Sequence, residues 1–185
     1  LGNLYPLTGV TLPDTPAYST DGRLSANLHA PQGATFNYQG FNGKIGDSDI
    51  HGDLAFVASQ PRPKLSGNLV SNQLLFKDLA PLIGADSNAE QKARGGASKQ
   101  PTGKVLPVEE FRTERWRAMD ADVTFAGKRI VHSTQLPFND LSAHVILEDG
   151  LLRLEPLRFG VAGGNLASRI RLDGRSVPLQ GRAQL

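Results

Sequence analysis

The chain has 185 residues, a formal net charge of +2 and no cysteine. That length suits one domain or one section of a longer, elongated protein. The absence of thiols excludes disulfides, thiolate metal sites and cysteine nucleophiles, and the scattering of basic residues argues against a nucleic-acid partner.

No apolar run approaches the roughly 20 residues of a membrane helix. The 20 glycines and 12 prolines suit many short strands with frequent turns. Pro6, Gly9, Pro13 and Pro16 punctuate the first twenty residues as turns. From Asp21 the chain alternates: Leu24, Ala26, Leu28 and Ala30 face one way, Ser25, Asn27 and His29 the other. Phe36 and Tyr38 form a second alternating piece. Leu54, Phe56 and Ala58 form a third, and after the Gln60-Pro61-Arg62-Pro63 turn Leu65, Gly67 and Leu69 form a fourth. Asp78 reads as the N-cap of one or two helical turns that stop at Gly84.

Residues 85–104 have no large apolar side chain and no periodicity, which predicts a flexible loop. The loop divides the chain into a β-section over 1–84 and a second over 105–185 that continues the same sheet. The second section opens with a short helix over 108–117, whose Phe111 and Trp116, with Met119 just beyond, would pack on a sheet end. Strands return at Val123 and Phe125, then at Leu141, Ala143, Val145 and Leu147. Asp149-Gly150 predicts a hairpin into a strand from Leu151 to Val161. Beyond Gly163-Gly164, Leu166, Ile170 and Leu172 oppose Arg169 and Arg171. Asp173-Gly174 turns the chain again, toward a last strand over 179–185. Residues 52–69 and 164–185 share a weak repeat: Gly-polar-Leu at a strand start, a proline-containing turn, then Leu-x-Gly on the return.

Catalytic patterns are missing: there is no G-x-S-x-G elbow, P-loop or H-E-x-x-H. The glycine-rich stretch 160–164 lies between two strands, so it reads as a turn or bulge and not as a phosphate cradle. Asp47-Ser48-Asp49 could hold a divalent ion, but turn chemistry is the better reading. The histidines, His29, His51, His132 and His144, are far apart in sequence, and no metal or cofactor site is assigned to them. Arg112, Arg115 and Arg117 beside Trp116 read as a solvated helix face.

The feature with functional reach is the apolar face of the alternating strands. Either two sheets close into a β-sandwich, or one long curled antiparallel sheet, mainly β with one or two short helices, forms a groove for acyl chains. Alternation alone favours the sandwich.

The order of several weak motifs shifts that balance. Residues Lys44 to Leu54 resemble a recurrent G-x-S-x-[IL]-x-G-x-[IL] strand pair of the AsmA family of bacterial envelope proteins. Pro63 to Leu69 is similar to the family's following P-x-L-x-G-x-L strand, and Asp78 to Gly84 to its D-L-A-P-L-[IL]-G helix. Asp120-Ala121-Asp122, the run Leu147 to Leu157, and Gly163-Gly164 extend the resemblance, which covers residues 41–185. It implies a non-enzymatic periplasmic segment, tethered to the inner membrane by an anchor outside this sequence. It also implies a hydrophobic β-groove that binds phospholipid and supports lipid transport between the two membranes. Leu24, Leu28, Leu54, Phe56, Leu65, Leu69, Phe125, Val145, Leu147, Leu152, Leu154, Leu166, Ile170 and Leu172 are then expected to share one interior surface. The competing expectation is a tethering module of the envelope that binds a protein partner and carries no lipid.

Overall fold

The computed structural model describes residues 18–75, 78, 113–131, 138–176 and 179–185. Among them nine strands form one sheet in chain order: β1 (Tyr18–Asn27), β2 (Thr35–Ile45), β3 (Ser48–Val57), β4 (Lys64–Leu75), β5 (Asp120–Val131), β6 (Phe138–Glu148), β7 (Leu151–Val161), β8 (Gly164–Asp173) and β9 (Gln180–Gln184). The sheet is open and curled, as the groove reading expects, and does not fold over into a sandwich. All neighbours are antiparallel except β4 and β5, which run parallel. That pair is the one parallel contact in an otherwise antiparallel sheet among the described strands.

Local chemistry sets the turns. Asp149 and Gly150 both have positive φ, 47° and 78°, the geometry of a type I′ hairpin turn, as the Asp-Gly pair predicts. Ala162 and Gly163 repeat it at 50° and 80° between β7 and β8. The Leu-x-Gly element of the sequence repeat also acquires a reason. Leu54 pairs with Gly67 and Leu172 with Gly181. A Cβ on Gly67 would collide with the Asp53 carbonyl oxygen and lie 3.0 Å from Leu54 Cδ2, and one on Gly181 would lie 2.9 Å from Leu172 Cδ2. In both hairpins the glycine makes room for the close approach of the neighbouring strand.

From Asn68 and its partner Thr124 onward, β4 and β5 carry the same burial pattern in register. Burial falls on Ser71 and then on Leu74, and on their partners Gly127 and Ile130. The step is three residues instead of two, so the buried set changes parity in both strands together. Leu74 is 2% exposed and Ile130 6%. Strict alternation misses both.

Arg62 reinforces the parallel pair. Its Nε donates to Asp120 Oδ1 at 2.9 Å and its other donor reaches Asp149 Oδ1 at 3.1 Å. The Asp120 backbone N–H donates to Pro63 O at 2.8 Å. Burial works to raise the Asp120 pKa, but the Arg62 guanidinium and the Asp149 N–H outweigh it and hold the carboxyl below its usual range.

The part of the expected 108–117 helix that is described is a 3₁₀ helix over Thr113–Arg117. Trp116 is buried there, close enough that a Cβ on Gly174 would lie 2.9 Å from its Cε3. It covers the sheet end formed by the turns at 149–150 and 174–175. The expected turns of residues 1–17, the helix beyond Asp78, the 85–104 loop, Arg112 and His132 lie outside the described residues.

Candidate apolar binding face

The pairing register builds the face directly. One row crosses all nine strands: Ala26, Phe36, Phe56, Leu65, Ala121, Leu147, Leu152, Leu172 and Gly181. The next is Leu24, Tyr38, Leu54, Gly67, Val123, Val145, Leu154, Ile170 and Ala183. A third runs from Gly52 through Leu69, Phe125, Ala143 and Leu157 to Ser168. Paired residues point to the same side of a sheet, so these rows share one face.

All of the expected interior residues except Leu28 lie on this face. Leu166 joins it through its pairing with Phe159. Leu28 is corrected: β1 ends at Asn27, and Leu28 sits in the following turn at 63% exposure. The Ala30-Pro31-Gln32-Gly33 turn cuts the alternation short there. Phe36, Tyr38, Val123 and Leu157 belong to the face, although the expected set omits them. Their own period-2 spacing carries that signal.

The face is only partly covered. Among the described residues the buried apolar side chains are Phe41, Leu74, Trp116, Val123, Ile130 and Ala143, and none of the larger side chains is under 2% exposed. Leu54, Phe56, Leu65, Leu69, Phe125, Leu147 and Leu154 are half-buried, and Leu24 is 66% exposed. Phe36 and Phe56 meet at 6.3 Å between ring centroids, and Tyr38 stacks on Phe41 at 5.2 Å.

The opposite face is more polar. An open hollow of about 420 Å³ lies between β2 and β5, lined mostly by polar side chains such as Asn37, Asp53, Asn68 and Asp122, with Leu54, Ala55 and Gly67 among them. Its amides and carboxylates give an acyl chain little to replace water with, so the hollow is a poorer apolar site than the rows. His144 lies on this polar side, as its strand position predicts, with Nε2 at 2.7 Å from Asp122 Oδ1. That contact holds the Asp122 pKa below its usual range.

Asp47-Ser48-Asp49 is turn and bulge chemistry. Ser48 Oγ donates to Asp78 Oδ2 at 2.7 Å and accepts from the Leu75 N–H at 2.9 Å. Asp49 accepts from the backbone N–H groups of Asn72 and Gln73 at 3.0 and 2.6 Å, from Asn72 Nδ2 at 2.9 Å and from Ser71 Oγ at 3.3 Å. His51 Nε2 lies 2.7 Å from the same carboxylate. Burial alone would raise the Asp49 pKa, yet these donors hold it well below the usual carboxylate range. The carboxylate thus pins β4 where its parity changes. Among the described residues no group of three or more His, Asp or Glu side chains could hold a metal ion.

Residues 1–185 match the AsmA family. AsmA family protein YhjG of Escherichia coli (strain K12) is 53% identical over 193 residues, an alignment that covers 100% of this chain and 28% of that protein. The chain therefore spans little more than a quarter of this relative's length. No solved structure matches it.

Proposed function

For a chain that belongs to the AsmA family of bacterial envelope proteins, we propose that the apolar face binds phospholipid acyl chains, as one section of a longer periplasmic protein that moves lipid between the inner and outer membranes. The carrying observation is the pair of rows that cross all nine strands, with glycine and alanine as the only interruptions between large apolar side chains. Eight strand intervals at about 4.8 Å make such a row about 38 Å long. Each methylene withdrawn from water contributes about 0.8 kcal/mol. Because the rows look alike from strand to strand, a tail gains nearly the same free energy at each step, so barriers between steps stay low. The mechanism needs no catalytic group: head groups stay in water while tails slide on the face.

The test is native mass spectrometry of the purified chain for copurified phospholipid, followed by Leu54→Asp and Leu147→Asp. Each aspartate interrupts one row, and bound lipid should fall at least tenfold. Wild-type protein that carries no lipid and takes up none from detergent micelles would sink the reading. A tethering module without cargo is the competing reading; crosslinks to a protein, in a chain that carries no lipid, would favour it.

A further inference from the structure

The polar face of β7–β9 differs from that of β2–β5. Arg153 pairs directly with Arg171, and Arg171 directly with Arg182, so three guanidinium-bearing side chains stand in one row across three strands. Arg169 lies two residues along β8 on the same face, and Arg158 joins it through its pairing with Ala167. Directly opposed side chains have Cβ atoms about 5 Å apart, and like charges so placed destabilise a sheet. The acids nearby offset the row only in part. Glu148 meets Arg153 at 3.3 Å, and Asp173, two residues from Arg171 on the same face, acts on Arg171 but is engaged chiefly by Arg175. Arg158, Arg169, Arg171 and Arg182 are exposed and form no ion pair among the described residues. Arg153 Nε is shielded from solvent yet has no hydrogen-bond acceptor. A chain whose net charge is only +2 has gathered five arginines on one patch.

We propose that this arginine array docks the β7–β9 section onto an anionic lipid bilayer, its guanidinium groups taking the phosphates of the head groups. The array spans three strands, and around its β8 and β9 members stand Ala167, Gln180 and Gln184, with Asp173 at the end of β8. A protein interface would want an apolar centre depleted of charge, which this patch lacks. A bilayer surface asks for charge alone, about 1 kcal/mol for each arginine near it. Guanidinium forks also suit phosphate oxygens. The docking surface lies on the opposite side of the sheet from the apolar rows and is independent of the acyl-chain reading.

The experiment is flotation of the purified chain with phosphatidylcholine vesicles, with and without phosphatidylglycerol. The expected result is binding only to the anionic vesicles, weakened by salt, and reduced at least tenfold in Arg171→Glu/Arg182→Glu. Arg171→Lys/Arg182→Lys should retain most of the binding, and Leu54→Asp should leave it unchanged while losing bound lipid. Circular dichroism confirms that each variant is folded. Equal binding to neutral vesicles, or undiminished binding by the Glu variant, overturns the proposal. So does a Glu variant that keeps vesicle binding but no longer binds polyglutamate, which would point to an acidic protein instead.

Discussion

Replacing Asp49 with alanine tests whether one carboxylate holds the parity change of β4. The side chain is 19% exposed and accepts from five donors. Asn72 and Gln73 are exposed, so water takes over part of what their N–H groups lose, and each bond is worth about 1 kcal/mol net. Ser71 is buried at 3% exposure, and its hydroxyl left without this acceptor costs about 1 kcal/mol more. The expected destabilisation is about 3 kcal/mol near pH 7, or about 6–12 °C in Tm for a chain of this size. The sign of the pH dependence follows from the depressed folded pKa. The carboxylate's contribution is fully present above the unfolded value of about 3.9 and is lost as pH falls below it toward the folded value, at about 1.4 kcal/mol per unit. Near pH 2.5 about 2 kcal/mol of the gap between wild type and Asp49→Ala should have gone. Urea denaturation at the two pH values measures both quantities. A variant within about 0.5 kcal/mol of wild type near pH 7, or a gap that does not narrow in acid, would refute the reasoning.

Ala162 holds a left-handed conformation at φ 50°, so Ala162→Gly should stabilise the chain by about 0.5–1 kcal/mol, read as a higher urea midpoint. Arg62→Ala should lower the urea midpoint, because both carboxylates it bridges lose their cation. Arg62→Lys should recover little of that loss in the same assay, since one ammonium cannot reproduce the two-pronged contact.

Much of this architecture is legible in the residues. Period-2 spacing places Leu54, Phe56, Leu65 and Leu69 on one face, and Asp149-Gly150 marks a turn that the φ angles bear out. Three things are not legible, each for a physical reason. The direction of β5 beside β4 depends on a pairing across residues 76–119, for which no local turn speaks. The burial of Leu74 follows a parity change in β4 where Asp49 takes the N–H groups of Asn72 and Gln73, and Ile130 follows it by register. The arginine row depends on register. Arg169 and Arg171 are visible as polar-face residues of one strand, but only pairing lines Arg171 up with Arg153 and Arg182.

The parallel β4–β5 pair also sets an order of assembly. Strands β6, β7 and β8 are linked by two-residue turns, which close at little entropic cost. Joining β4 to β5 brings together strands 44 residues apart in sequence, a far less local contact than a two-residue turn. Two local meanders would therefore form first and zip together last along β4 and β5. Under load, or in mild denaturant, the same line is where the sheet should part.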